Sequence, residues 1–173
     1  MAKLDLDDYL PYLLNRAGAR IADAFGKVAR QHGITLQMWR VLAALNQEDG
    51  QSVGSLARTT SIEISTLSRL LDQMQKKRLL LRRRDDGDQR SISIHRTAAA
   101  EAVTQKLIPI ALGYEDTALG RLSRADVKTL KALLRQVYDN LNMENALGSK
   151  EKDRAARTAR SHSKASAQSA AKQ

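Results

Sequence analysis

The chain has no cysteine among its 173 residues, which excludes disulfides, thiolate metal sites and cysteine redox sensing. Aromatics make up 3% of it, and no apolar run reaches the roughly 18 residues that a membrane-spanning helix needs. The opening MAKLDLDDYL is acidic and lacks the apolar core of a secretory leader, which points to a cytoplasmic protein. Its three histidines, His32, His95 and His162, stand far apart. No H-E-x-x-H, glycine-rich phosphate loop or G-x-S-x-G accompanies them, so the common hydrolase and nucleotide-binding chemistries have no support. Asp85-Asp86-Gly87-Asp88 superficially matches a calcium loop, but the downstream glutamate is missing and the flanks are basic. The expectation is a protein that is not an enzyme and carries no metal or cofactor.

What is present is a hydrophobic content of 42%, enough for a core, and a net charge of +10. That charge is localised. Residues 1–75 and 97–147 are each electrically balanced, whereas residues 76–96 hold eight Lys and Arg against three Asp and Glu. Residues 148–173 hold seven against two. A basic segment inside a neutral fold reads as a surface for a polyanion.

With only two prolines, Pro11 and Pro109, and long 3.6-residue periodicity, the chain is mainly α. The apolar spacing from Leu6 to Val28 predicts a first helix that starts in the acidic turn of Asp5, Asp7 and Asp8 and stops at Gly33. Thr35 and Ser52 are N-caps for a second helix and a short third one. A polar break at 59–61 leads to a fourth helix over 64–78, making a helix-turn-helix. Leu79 to His95, with an Asp-Gly turn between an arginine-rich run and an alternating Ser-Ile run, reads as a small β-hairpin. Thr97 caps a fifth helix kinked at Pro109, and Ser123 with Asp126 forms a capping box for a sixth. After Gly148 no large apolar residue occurs, giving a basic tail that is disordered or weakly helical.

On a helical wheel Leu67, Leu70, Leu71 and Met74 share one face of the fourth helix, and Ser65, Arg69, Asp72 and Lys76 share the opposite one. Thr66 and Ser68 flank it. Short hydroxyls permit close approach to a major groove, and an arginine can donate two hydrogen bonds to guanine. Lys76, Arg82, Arg83 and Arg84 are candidate phosphate ligands, and Arg90, beyond the turn, is a candidate for a minor groove. An ordinary amphipathic surface helix and a solvated charge run are the bland alternatives.

LQMWRVLAAL at 36–45, SVGSLARTTSIEISTLSRLLDQMQKKRLLLRR at 52–83 and DGDQR at 86–90 together resemble the multiple-antibiotic-resistance regulator (MarR) family of winged helix-turn-helix regulators. The resemblance covers roughly 6–145. It implies a homodimer with dimerisation helices over 6–32 and 98–146, a winged helix-turn-helix over 34–97 and an appended tail over 148–173. By carry-over Ser65, Thr66, Ser68 and Arg69 read bases of double-stranded DNA, Arg90 enters the minor groove and Asp88 fixes the wing. Two departures are Arg96, where the family usually has leucine and which implies a more exposed strand end, and Ala100, where glycine is common.

The resemblance further implies a repressor on a palindromic operator, released by a small effector: an aromatic carboxylate, a phenol or a coenzyme A thioester. Tyr12, Arg16, Arg20, Met38, Trp39 and Tyr114 are candidate lining residues, although core packing or dimer salt bridges explain them equally well. The missing cysteine excludes the peroxide-sensing thiol of one branch of the family. A non-specific architectural nucleic-acid binder is the alternative reading, and a small-molecule carrier a third.

Overall fold

Helix α1 (Leu10–Gln31), α2 (Leu36–Gln47), α3 (Val53–Thr60) and α4 (Ile64–Lys76) precede a hairpin of β2 (Leu80–Asp85) and β3 (Asp88–Arg96), with a two-residue β1 (Gln51–Ser52) before α3. Helix α5 (Ala98–Leu119) follows, and α6 spans 124–142. The computed structural model describes residues 3–85 and 88–142, with the backbone alone for residues 85 and 88–91. The tail over 148–173 lies outside the described residues, as does the stretch of α6 expected beyond 142. Residues up to Gly120 form one compact unit, and α6 belongs to a second.

The caps follow the sequence closely. Thr35, Ser52 and Thr97 each accept a hydrogen bond from the backbone N–H three residues on, at 3.2, 3.1 and 3.2 Å. At α6, Ser123 Oγ accepts from Asp126 N at 3.2 Å while Asp126 Oδ2 accepts from Ser123 N at 3.3 Å, the reciprocal pair that defines a capping box. Helix α1 ends where Gly33 takes φ +76°. There the Gly33 and Ile34 N–H groups donate back to Arg30 and Ala29, satisfying two orphan carbonyls. Its start is a correction. The helix begins at Leu10 with no acidic residue in its first turn, so Asp5, Asp7 and Asp8 lie in the preceding turn. Pro11 occupies the first turn, where a missing N–H costs least, and the apolar spacing simply continues upstream of the true start.

The core of the first unit joins the helix-turn-helix to the sheet and α5. Leu42, Leu45, Leu56, Leu67, Leu71, Met74, Leu80, Ile94 and Leu107 are all fully buried. The sheet is antiparallel in the order β1-β3-β2. Strand β1, two residues pairing Gln51 with Ile94 and Ser52 with Ser93, was not foreseen, because so short a segment carries no alternation to read.

Arg96 does not leave the strand end open. Its backbone N–H donates to Asp49 Oδ1 at 2.9 Å and its Nη1 to Asn46 Oδ1 at 2.6 Å. His95 Nδ1 meets Asp49 Oδ2 at 2.8 Å, so the base of the hairpin is fastened to the loop after α2. Burial pushes the Asp49 carboxyl up, but the bonds from Arg96 and His95 and their charges outweigh it and hold it below its ordinary range.

Candidate nucleic-acid interface and effector cavity

Helix α4 divides as the wheel predicts. Leu67, Leu70, Leu71 and Met74 are buried. Ser65, Thr66, Arg69 and Lys76 are exposed, and Ser68 is half-buried at the edge of the packed side. Glu63 caps the helix by accepting from Thr66 N at 3.0 Å and from Ser65 Oγ. The Ser65 hydroxyl and the backbone N–H groups of Ser65 and Thr66 hold the Glu63 carboxyl down to about 2. Two consequences follow for a groove-facing surface. Ser65 spends its proton on the cap and presents only lone pairs, and a fixed negative charge stands at the helix start. Arg69 and Lys76 have no partner among the described residues.

The three consecutive arginines of β2 are not equivalent. Arg82 pairs with Ile94, Arg83 with Ser93 and Arg84 with Ile92, so Arg82 and Arg84 share one face of the hairpin and Arg83 takes the other. Arg82 Nη2 is bonded to Asp72 Oδ1 at 2.7 Å, whereas Arg83 and Arg84 are exposed. The ladder runs to Asp85 opposite Asp88. The side chains of Asp88 and Arg90, both named from the sequence, lie outside the described residues. A residue the pattern missed is Ile64, 57% exposed at the first position of α4. It continues the stripe of Leu67 and Leu71 one turn toward the N-terminus, so its exposure comes from its place at the helix end and helical spacing alone gave no signal of it.

The six candidate effector residues separate. Trp39 and Tyr114 line an apolar cavity of about 280 Å³ between α1, α2 and α5, together with Ile21, Ala22, Phe25 and Ala111. Phe25 packs against both rings, 5.1 Å from Trp39 and edge-on at 6.2 Å from Tyr114. Met38 is 3% exposed and belongs to the core. Tyr12 and Arg16 contact each other, the guanidinium 5.5 Å from the ring centre, and Arg16 also pairs with Asp7 at 3.5 Å. Arg16 and Arg20 line a shallow recess on α1, not the apolar cavity. The cation on the cavity's rim is Arg40, which the sequence reading passed over. Among the described residues no three His, Asp or Glu side chains group as metal ligands would, and no helix is long and apolar enough to cross a membrane.

A half-polar helix set across a helix-turn-helix, beside a basic hairpin, defines a winged-helix DNA-binding protein. The comparisons with known proteins are specific on the family. The sequence profile of the MarR family matches residues 32–91. A solved MarR-family regulator from Silicibacter pomeroyi is 32% identical, with a TM-score of 0.73, over 80% of this chain and 96% of that one. The chain belongs to the MarR family of transcriptional regulators, a family of non-enzymatic DNA-binding proteins. The transcriptional activatory protein BadR of Rhodopseudomonas palustris is 28% identical over 81% of this chain and 82% of its own length. CouR from Rhodococcus jostii RHA1, solved with p-coumaroyl-CoA, is 20% identical over 78% of this chain and 95% of that one, with a TM-score of 0.70.

Proposed function

We propose that the chain acts as a homodimer that represses transcription from a roughly palindromic operator and is released by a small aromatic effector. The observation that carries the DNA half is the outer face of α4, with Ser65, Thr66 and Arg69, which has no partner among the described residues, turned away from a buried leucine face. Ser68 sits at its edge. Lys76, Arg83 and Arg84 supply positive charge for phosphates beside it, and Asp88 and Arg90 keep the roles their family positions imply. A helix of this kind reads one half-site, so two-fold pairing sets half-sites about 10 bp apart. The apolar residues Leu10, Leu13, Leu14 and Ile21 of α1, and Leu130, Leu133 and Leu141 of α6, are exposed in the single chain. A second copy would bury them.

For the effector, the cavity beside Trp39 and Tyr114 is apolar, with a guanidinium at its rim, which suits an aromatic ring carrying an anionic group. Such a ligand releases DNA by preferring the dimer whose recognition helices no longer match the groove spacing. The thioester bound in CouR is of this chemical kind.

Footprinting the full chain on the DNA upstream of its own and adjacent genes tests the reading. One symmetric protected site, lost on adding an aromatic acid or its thioester, is the expected result. Uniform, sequence-insensitive protection would replace the regulator with an architectural binder. The name of BadR favours a second sign of regulation, activation. A reporter fused to the protected site separates the two. Expression rises on deleting a repressor and falls on deleting an activator.

A further inference from the structure

Helices α2, α3 and α5 are capped by Thr35, Ser52 and Thr97, short side chains of the kind that suits the position. Helix α4 is capped by a glutamate instead. A serine or threonine would accept the same N–H, so the cap itself does not call for the full negative charge that Glu63 brings to the start of the recognition helix. Both hydrogen bonds to the carboxylate, from Thr66 N at 3.0 Å and from Ser65 Oγ, end on Oε2. On this exposed side chain Oε1 keeps lone pairs for a further donor. The Ser65 hydroxyl, its proton committed to Glu63, places a second acceptor beside it. Residues 63–76 hold two carboxylates, and their surroundings differ. Asp72 is held by Arg82 at 2.7 Å, whereas Glu63 has no cationic partner among the described residues. Hydrogen bonds from Ser65 and Thr66 keep Glu63 ionised far below neutrality.

An unneutralised carboxylate brought to DNA is repelled by the phosphates and by every acceptor on a base edge, so it is tolerated only where it meets a donor. Guanine presents N7 and O6 to the major groove, thymine O4, and adenine N7 beside its amino group. Cytosine alone presents a donor and no acceptor. Resting on the proposal above that α4 is the helix that reads DNA, we infer that Glu63 is a specificity-determining residue, accepting a hydrogen bond from the N4 amino group of one cytosine per half-site. Ser65, bonded to Glu63, and Arg69 stand one turn apart, about 5–6 Å between Cβ atoms, against about 3.4 Å per base step. The cytosine therefore lies about one or two steps from the guanine that Arg69 donates to. A cytosine read through its amino group has a consequence for modified DNA. Methylation at N4 leaves the hydrogen used in base pairing and replaces the one that faces the groove. The donor is lost, and operator binding is sensitive to that mark.

The test titrates the full chain against duplexes of the footprinted operator in which each cytosine in turn is replaced by N4-methylcytosine. At one position per half-site the parent chain is expected to lose about tenfold in affinity. This scan needs no variant, so it stands whatever a substitution does to folding. Glu63→Ser keeps a preferred cap, and its urea midpoint at neutral pH checks that it folds. It should show no such loss at that position, and its preference for the operator over random-sequence DNA should fall because the repulsion from wrong bases is gone. Insensitivity to N4 methylation at every cytosine would overturn the inference. So would an equal loss in the parent and in Glu63→Ser, or an unchanged preference for the operator in that variant. Glu63 is then a cap alone, and α4 remains the reading helix. If the full chain protects no discrete site on DNA, the proposed function falls and the role of Glu63 falls with it.

Discussion

Arg82 reaches across from the hairpin to Asp72 on the outer side of the recognition helix, Nη2 to Oδ1 at 2.7 Å. The contact neutralises Asp72, which stands opposite the buried leucine face, and ties the hairpin's first strand to α4. Both partners are partly exposed, 35% and 56%, so the pair itself adds only about 0.2–1 kcal/mol to stability. Its consequence lies in geometry, because it spends one of the three β2 arginines on positioning. Arg84→Gln should weaken binding to all DNA sequences and reduce the salt slope by about 0.9 per lost phosphate contact. Arg82→Gln should leave that slope unchanged while lowering operator affinity. Filter binding across a salt series measures both, and an equal loss of slope in the two variants would make Arg82 a phosphate ligand.

The turn after α4 repeats the termination of α1 with a poorer residue. Arg78 and Leu79 donate back to Gln75 and Met74, as Gly33 and Ile34 do to Arg30 and Ala29, but the left-handed position holds arginine at φ +59°. An L-residue there costs about 1–2 kcal/mol, partly offset by the greater chain entropy that glycine loses on folding. Arg78→Gly should therefore raise stability by up to about 1 kcal/mol. Gly33→Ala should lower it by up to about 1 kcal/mol by the same balance, with no steric contribution since nothing lies within 4 Å of the added carbon. Urea midpoints of the two variants should move in opposite directions.

Helix order, caps and the buried face of α4 were legible because each is set by local spacing: Thr35, Ser52 and Thr97 precede apolar periodicity, and Leu67 to Met74 repeat at helical intervals. The start of α1 was misread because Leu6 keeps the apolar spacing without being helical. The roles of Arg82 and Arg96 were hidden for a different reason. Asp72 and Asp49, their partners, are 10 and 47 residues away, and only the packing of β2 on α4 and the pairing of β1 with β3 bring them together. The effector residues were the hardest to read, since which of Tyr12, Arg16, Arg20 and Arg40 borders a cavity depends on how α1, α2 and α5 cross. Helical period alone does not encode that.

The acid side of the stability profile should carry a signature of the α4 cap. Glu63 falls from an ordinary 4.5 to about 2 in the folded chain, so its stabilising contribution is complete above about pH 5. It is lost as pH falls from 4.5 toward 2, and Asp49, also depressed, adds a loss in the region below its ordinary 3.8. Glu63→Gln retains an acceptor for Thr66 N but does not titrate. Its urea midpoint should fall less than that of the parent chain between pH 5 and about 3. Near neutrality the carboxylate stays charged, so operator affinity between pH 6 and 8 should not vary through Glu63.

Base reading by α4 can be resolved residue by residue. Arg69→Ala should cost about 1–3 kcal/mol on the operator and relax discrimination at one or two guanine positions. A loss spread equally over all sequences would instead make Arg69 a phosphate contact. Ile64 offers a sharper test, because an exposed apolar side chain at the start of the helix has one natural partner in the major groove, the thymine methyl. Replacing each operator thymine in turn by uracil removes that methyl and nothing else. At one position per half-site the parent chain should lose about fourfold in affinity, the value of one buried methyl. Ile64→Ala should bind the thymine and uracil operators equally. If uracil is without effect at every position, Ile64 does not face a base, and the reading surface of α4 begins at Ser65.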